Sequence, residues 1–174
     1  MKIMGIADWS GSGKTTLVVS VLPRLIGMGL KVSTLKHAHH DFDLDKPGKD
    51  SYRHREAGAE EVMVALPTGW ALFHPGRGTE RATVAELVQQ MAPVDLVLVE
   101  GFRSLPMEKI EVYNSALDEP LTQPDNPLVV AVAADVGLPS LSVPTFRRED
   151  IDGIAAFILE RLGRRAHSGQ MEPI

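Results

Sequence analysis

The stretch GIADWSGSGKTT, residues 5–16, constrains the fold of this chain more than any other feature of its sequence. It joins an apolar run at 1–7 to an apolar-periodic run at 14–28 through small residues and the pair Lys14-Thr15. In such a loop glycines let backbone N–H groups turn toward phosphate oxygens, and the positive end of the following helix faces them. The lysine reaches the β- and γ-phosphates and the threonine hydroxyl binds magnesium. The stretch therefore predicts a phosphate-binding loop, with nucleotide contacts from Ser10, Gly11, Ser12, Gly13, Lys14, Thr15 and Thr16.

One position departs from the pattern G-x-x-x-x-G-K-[ST]. Counting back from Gly13 places the first glycine at residue 8, which is aspartate. Because a carboxylate is repelled by a triphosphate, either Asp8 points away from the phosphates or the nucleotide binds more weakly than with a full motif. Gly11 supplies flexibility two residues before Gly13. A glycine-rich turn that only joins a strand to a helix is the alternative interpretation.

Length and composition limit the class of protein. A chain of 174 residues is expected to form one domain, which we place at 1–163, followed by a flexible tail at 164–174. A net charge of −5 and a pI near 5.7 give no basic surface for nucleic acid and favour a small-molecule or protein partner. The absence of cysteine excludes disulfides and thiolate zinc sites. With no export signal and no long apolar run, we expect a cytoplasmic protein that does not bind membranes.

The remaining pattern indicates an α/β protein. Strand-like segments lie at 30–36, 94–100, 109–113 and 128–134, and an apolar-periodic helix lies at 151–162. A strand, a loop, a helix and a second strand form a βαβ unit, whose crossover is right-handed and whose strands are parallel. We therefore predict a three-layer P-loop NTPase fold with a mainly parallel sheet.

A hairpin is added to this sheet in the prediction. Two apolar runs flank the turn Pro67-Thr68-Gly69, and a helix is predicted to begin at Thr79. Trp70 and Leu72 in the second run either join a core or pair with a second chain, because an apolar edge strand has to be covered.

Acidic residues follow two of the predicted strands. Glu100 ends a buried strand, where a P-loop fold places the acid that faces Thr15 across magnesium. We therefore predict Lys14 and Glu100 as catalytic residues, and Thr15 and Glu100 as the magnesium residues. Arg103 is a candidate for a phosphate or cofactor contact. Asp135 is placed to accept hydrogen bonds from guanine, although the Asn-Lys pair that usually precedes such an aspartate is absent.

The segment 36–55 is dense in histidine, aspartate and cations. An extended backbone would place alternate residues on one face. We consider a nucleotide-proximal switch, a transition-metal site and a solvated loop, and we favour the switch because the segment leaves the carboxyl end of a strand beside the phosphate loop. Its cations suit an anionic ligand or ordinary surface salt bridges. The cofactor or partner candidates are His37, His39, Asp41, Asp43, Lys46, Lys49, Arg53 and, outside the segment, Arg103.

The segments WSGSGKTTL, KHAHHDFDLDKPGKDSYRHREAGA and DLVLVEGFR together resemble the MobB family of molybdopterin-guanine dinucleotide biosynthesis proteins. The resemblance implies a GTP-binding adaptor with feeble GTPase activity, using GTP and Mg²⁺, with molybdopterin as a further candidate ligand. It also implies a homodimer and a MobA-type partner that attaches GMP to molybdopterin. Residue by residue, the phosphate-loop role falls on Ser10 to Thr16 and the magnesium-side acid on Glu100.

Two other functions fit parts of the pattern. A small-molecule kinase or ligase of the dethiobiotin synthetase type shares the sheet and the loop, but needs an acceptor site. A metallochaperone GTPase would use the histidines, but its metal motif usually contains cysteine. A ParA- or MinD-like ATPase is disfavoured because Trp9 stands where those proteins carry a second lysine. Nucleotide binding combined with phosphorylation of an added acceptor separates an adaptor from a kinase.

Overall fold

A computed structural model describes residues 1–38, 46–74, 82–138 and 141–164. The chain divides into two compact units, one formed by Met1–His37 and Ala92–Ile174 and the other by Ala38–Met91. Of the tail predicted at 164–174, all but the first residue lies outside the described residues.

The first unit contains six strands and two α-helices among the described residues, and the second unit contains two strands and two short α-helices. In chain order the strands and helices are β1 (Lys2–Ala7), α1 (Lys14–Gly27), β2 (Val32–Lys36), α2 (Asp50–Glu56), β3 (Val62–Leu66), β4 (Gly69–Phe73), α3 (Val84–Gln89), β5 (Leu96–Glu100), β6 (Lys109–Tyr113), β7 (Val129–Ala134), β8 (Thr145–Arg147) and α4 (Ile151–Arg161). Within the ranges described, no helix has the length and apolar character that crossing a membrane requires.

The first unit contains a six-stranded sheet in the order β2-β5-β1-β6-β7-β8, and every neighbouring pair is parallel. In the register of β2 with β5, Lys36 lies opposite Glu100. In the register of β1 with β5, Ile6 lies opposite Glu100. Because parallel strands end at the same edge, the last residue of β2 and the residues that follow β1 and β5 lie at that edge. The predicted α/β class with a mainly parallel sheet is confirmed.

The core of the first unit packs one face of this sheet against α1 and α4. Apolar residues at i, i+3, i+4 and i+7 or i+8 give α1 a buried stripe, which consists of Leu17, Val18, Val21 and Leu25. Met4, Ile6, Leu96, Leu98, Ile110 and Val112 on the sheet and Ile154 and Ile158 on α4 complete the cluster. This burial fixes α1 against the sheet, so the loop between β1 and α1 is held at both ends.

The second unit contains the predicted hairpin, formed by β3 and β4. The antiparallel register pairs Met63 with Leu72 and Ala65 with Trp70, so these four side chains share one face. The Trp70, Met63 and Leu72 side chains are 67%, 58% and 39% exposed. The hairpin prediction is confirmed, and one of its faces carries an exposed apolar surface.

The helix after the hairpin begins later than its sequence pattern predicts. Thr83 has extended backbone angles and caps α3, whose first residue is Val84. The Thr83 hydroxyl accepts from the Glu86 backbone N–H, and the Glu86 side chain accepts from the Thr83 backbone N–H, which makes a capping box. A start at Thr79 was therefore wrong, because the reciprocal cap fixes the boundary at Thr83.

Candidate functional site

The phosphate loop, residues 8–16, connects the buried end of β1 to the first turn of α1. Gly11 and Gly13 have φ of 82° and 103°, a left-handed conformation that side chains rarely adopt. Gly13 is the N-cap of α1, and its carbonyl accepts the first helical hydrogen bond from the Leu17 N–H at 3.0 Å. Since Gly13 has no side chain to cap the helix, the first N–H groups of α1 face the loop as anion donors.

Two side chains from distant elements hold the loop by its carbonyl groups. Arg148, just after β8, donates from Nη1 to the Ser12 carbonyl at 2.9 Å. Asn114, just after β6, donates from Nδ2 to the Gly11 carbonyl at 3.4 Å. These two bonds tie the Gly11 and Ser12 carbonyls to residues outside the loop, while the Ser12 N–H donates to the Trp9 carbonyl within it at 3.4 Å.

The predicted phosphate lysine lies folded onto the loop. The Lys14 Nζ donates to the Trp9 carbonyl at 2.5 Å, and burial lowers the pKa of Lys14. Trp9 is itself held, because the Arg103 guanidinium lies 3.7 Å above its ring centroid and its indole N–H donates to the Pro120 carbonyl at 3.4 Å. The Lys14 ammonium group is therefore bonded to a carbonyl of the loop. A phosphate oxygen is charged and would be a stronger acceptor than this neutral carbonyl.

Three polar groups meet at the carboxyl ends of β2 and β5. The Thr15 hydroxyl donates to Glu100 Oε1 at 2.6 Å. The Lys36 Nζ lies 3.0 Å from the same carboxylate oxygen and 3.2 Å from the Thr15 hydroxyl oxygen. The Glu100 side chain is only 11% exposed, so its charge is compensated by groups within reach. A hydroxyl and a carboxylate oxygen held side by side are hard ligands that fit Mg²⁺.

Asp8, at the position of the missing glycine, has a perturbed acidity. Burial, with a further contribution from the charge of Glu111, raises the pKa of Asp8 from 3.8 to about 6, against opposing effects of the Trp9 backbone, Lys14 and Arg103. Its Oδ1 is buried and makes no hydrogen bond to any described residue. The carboxyl group at this position is therefore harder to ionise than an exposed aspartate, and it still carries its charge above about pH 6.

Asp135, predicted to contact the nucleotide base, lies just after β7 and is engaged within the protein. The Ser115 backbone N–H donates to Oδ1 at 3.0 Å and the Ser115 hydroxyl donates to Oδ2 at 2.9 Å. These bonds, with the Arg148 guanidinium 3.7 Å away, hold the pKa of Asp135 below its usual range. Since Arg148 also binds the Ser12 carbonyl, Asp135 helps to position the phosphate loop.

The turn after Glu100, at Gly101 and Phe102, packs against His37, the residue that follows β2. Gly101 has φ of 93°, and a Cβ there would lie 3.0 Å from the His37 Cβ. Phe102 follows with φ of 50°, which is rare for a bulky residue, and its ring stacks on the His37 ring with centroids 4.3 Å apart. His37 thus packs on the turn that carries the predicted magnesium acid, and Gly101 is required by this close approach.

A buried lysine fixes the segment that continues from this turn. Lys109 is 2% exposed, and its Nζ donates to the carbonyls of Arg103 and Leu105, both at 2.7 Å. The Arg103 backbone is therefore anchored from β6, while its guanidinium covers Trp9. Arg103 is tied to the phosphate loop in this structure.

The other cofactor or partner candidates separate into two groups. Lys49 and Arg53 belong to the second unit, where Lys49 is the N-cap of α2 and Arg53 lies in its last turn. Arg53 lies 3.9 Å from Asp50 of the same helix. Lys46 precedes them on an exposed turn. His39, Asp41 and Asp43 lie outside the described residues, so their roles stay predictions.

Sequence reasoning missed three residues that shape the site, namely Lys36, Asn114 and Arg148. Lys36 could have been found, because it ends a strand that pairs with the strand of Glu100. Asn114 and Arg148 carry no comparable signal, since they lie 103 and 136 residues from the loop atoms they bind.

The parallel sheet, the loop on the helix amino terminus and the convergence of Lys14, Thr15 and Glu100 define a P-loop nucleotide-binding fold. The family model of MobB, molybdopterin guanine dinucleotide synthesis protein B, matches residues 3–135. The chain belongs to the MobB family.

Curated relatives and solved structures agree with this family. The molybdopterin-guanine dinucleotide biosynthesis adapter protein of Escherichia coli K12 is 39% identical over 161 residues, covering 91% of each chain. The protein of the same name from Haemophilus influenzae is 40% identical over 138 residues, covering 78% of this chain and 76% of its own. A crystal structure of a MobB protein superposes with a TM-score of 0.72 at 26% identity, over 91% of this chain and 99% of that one.

The raised pKa of Asp8 predicts that replacing it with a neutral residue stabilises the fold, by an amount that depends on pH. A folded-state pKa near 6 above an unfolded value of 3.8 means that ionisation destabilises the fold fully above pH 6 and not below pH 3.8. Asp8→Asn should therefore raise the free energy of unfolding at pH 8 by about 1 kcal/mol, after allowance for partial solvation. Urea denaturation should show this gain shrinking from pH 6 toward pH 4.

The matched control is Asp118→Asn, an exposed aspartate in a left-handed conformation that asparagine tolerates. A gain in Asp8→Asn that does not change with pH, or that the control reproduces, would contradict the burial of a charged carboxyl group at position 8.

Proposed function

We propose that this protein is a GTP-binding adaptor that assists a MobA-type enzyme in attaching GMP to molybdopterin. The observation that carries the nucleotide part is the convergence of the Lys14 ammonium, the Thr15 hydroxyl and the Glu100 carboxylate at one end of the sheet. The names of the Escherichia coli and Haemophilus influenzae relatives support the adaptor part. We place this activity in the cytoplasm.

In the proposed complex the phosphates lie on the N–H groups of the phosphate loop and the first turn of α1. Lys14 exchanges the Trp9 carbonyl for a phosphate oxygen, which is the stronger acceptor because it is charged. Thr15 and Glu100 would hold Mg²⁺, which would supply positive charge against the negative charge of the phosphates. Asn114 and Arg148 support the loop from outside by holding its Gly11 and Ser12 carbonyls.

The contacts of Arg103 and Arg148 are the basis for expecting slow GTP hydrolysis. Arg103 stacks on Trp9, and Arg148 is bound to the Ser12 carbonyl and to Asp135. Both guanidinium groups therefore already have partners on the phosphate loop. Since positioned positive charge supplies most of the acceleration in this reaction, the isolated protein is at most a slow GTPase. A role as an adaptor needs no faster turnover.

Partner and cofactor binding is proposed for the cation-rich segment. Lys49 and Arg53 lie on or beside the short helix α2, and the Arg53 side chain is 75% exposed. Exposed cations close together suit an anionic partner surface or the phosphate of molybdopterin. His37 packs on the turn of Glu100, and so it connects the predicted magnesium acid to the start of this segment.

A homodimer is proposed from the hairpin. Its face of Met63, Ala65, Trp70 and Leu72 is apolar and exposed, and the sheet of β3 and β4 pairs with no other described strand. Two strands alone bury too little apolar surface to be stable without a cover. A second copy of the chain supplies an identical apolar face, as a two-fold interface requires.

Removing the phosphate lysine should abolish much of the nucleotide affinity. Lys14→Ala should weaken GTP binding by roughly 2 kcal/mol, the scale of a charge-assisted hydrogen bond, while circular dichroism stays unchanged. Isothermal titration calorimetry measures the loss. Lys2→Ala is the control, because Lys2 lies at the opposite end of β1, about 20 Å from the loop. Unchanged GTP affinity in Lys14→Ala would reject the phosphate-loop assignment.

Hydrolysis should be slow and should depend on the magnesium acid. The isolated wild type should turn over GTP at about 10⁻³ s⁻¹ or less, and Glu100→Gln should lower that rate together with its response to Mg²⁺. Phosphate release is the measurement, and Glu160→Gln on the exposed side of α4 is the control. Turnover at the rate of an ordinary kinase would rule out the adaptor, and phosphorylation of an added acceptor would support the kinase alternative.

Charge on the hairpin face should dissociate the dimer. Trp70→Glu should convert a dimer to a monomer in sedimentation equilibrium, because a buried unpaired carboxylate is costly. Val19→Glu is the matched control, since Val19 is an apolar residue of α1 with 65% exposure. A wild type that is monomeric at high concentration would refute the proposal, as would a Trp70→Glu protein that stays dimeric.

A further inference from the structure

Lys36 is the one member of the Thr15–Glu100–Lys36 cluster to which the proposed function gives no role. It is the last residue of β2, and the parallel register places it directly opposite Glu100 at the end of β5. Paired residues of neighbouring strands direct their side chains to the same face, so this contact is built into the sheet. The fold therefore fixes the backbone of Lys36 opposite Glu100, within reach of its carboxylate.

The ammonium group lies on both oxygens that would hold Mg²⁺. Its distances to Glu100 Oε1 and Thr15 Oγ1 are 3.0 and 3.2 Å, and those two oxygens are 2.6 Å apart. Two cations sharing the same two oxygens would repel each other strongly at such separations. The Lys36 side chain is 57% exposed, so it has solvent into which it can move.

We propose that Lys36 is a resident counter-cation of the magnesium position, which compensates Glu100 before the metal arrives and leaves Thr15 and Glu100 when it binds. This inference rests on the proposed nucleotide function. Lys14 does not fill this role, since its Nζ is bound to the Trp9 carbonyl. A nearly buried carboxylate without a cation would be costly and would repel an incoming triphosphate. Lys36 thus sets how strongly nucleotide binding depends on Mg²⁺.

The effect has opposite signs with and without the metal. In Lys36→Met the metal-free site loses its positive charge, so Glu100 repels the nucleotide and its affinity falls. With Mg²⁺ present the metal no longer competes with an ammonium group, so the affinity is unchanged or rises. The ratio of the dissociation constant in EDTA to that in Mg²⁺ should therefore increase by about tenfold, the scale of one partly exposed charge pair.

The experiment measures binding of a fluorescent GTP analogue by polarisation, with EDTA and with saturating Mg²⁺, in the full-length wild type and in Lys36→Met. Lys36→Arg keeps the charge, and its ratio should stay within about threefold of the wild-type ratio. Lys2→Met removes a lysine at the other end of the sheet and should leave the ratio unchanged. Thermal unfolding checks each variant, and Lys36→Gln replaces Lys36→Met if the latter fails to fold.

The outcomes separate this inference from the function on which it rests. An increased ratio in Lys36→Met but not in Lys2→Met supports the counter-cation. Equal weakening in EDTA and in Mg²⁺ would make Lys36 a simple phosphate ligand and overturn the inference alone, as would an unchanged ratio. A wild type that binds no guanine nucleotide under either condition would overturn the proposed function and the inference with it.

Discussion

The hydrogen bond from the Thr15 hydroxyl to the Glu100 carboxylate is the contact on which the rest of the site depends. It joins the first turn of α1 to the end of β5, two elements that the core already holds together. Since β5 lies between β1 and β2 in the sheet, Glu100 at its end lies beside the last residues of both neighbouring strands. The Lys36 contact and the turn at Gly101 both follow from this arrangement.

Charge balance is the second constraint on this edge of the sheet. Glu100 is nearly buried and is compensated by Lys36, whereas Asp8 is half-buried near the charge of Glu111 and its pKa is raised to about 6. The cost of removing a carboxylate from water is thus offset by an ion pair at Glu100 and appears as a raised pKa at Asp8. The conflict that a carboxyl group at the first glycine position poses for phosphate binding decreases as the pH falls toward 6, because a larger fraction of Asp8 is then protonated.

The shape of the phosphate loop is determined outside the motif. Arg148 and Asn114 bind its carbonyls from β8 and β6, and the Arg103 guanidinium covers Trp9. The glycines allow the backbone to adopt its left-handed angles, but these contacts select one conformation among those that glycine permits. Family membership accounts for the motif, and these contacts account for the conformation of the loop.

Local spacing and apolar periodicity in the sequence were enough to predict the parallel α/β class, the phosphate loop and the hairpin, and to select Lys14, Thr15 and Glu100 as candidate site residues. The apolar pattern misplaced the start of α3, since a capping box at Thr83 outweighed it. The contact of Lys36 with Glu100 and the bond from Arg148 to the loop are visible only in the folded chain. Those contacts depend on strand order and register, which bring together residues far apart in the chain and leave no local pattern in it.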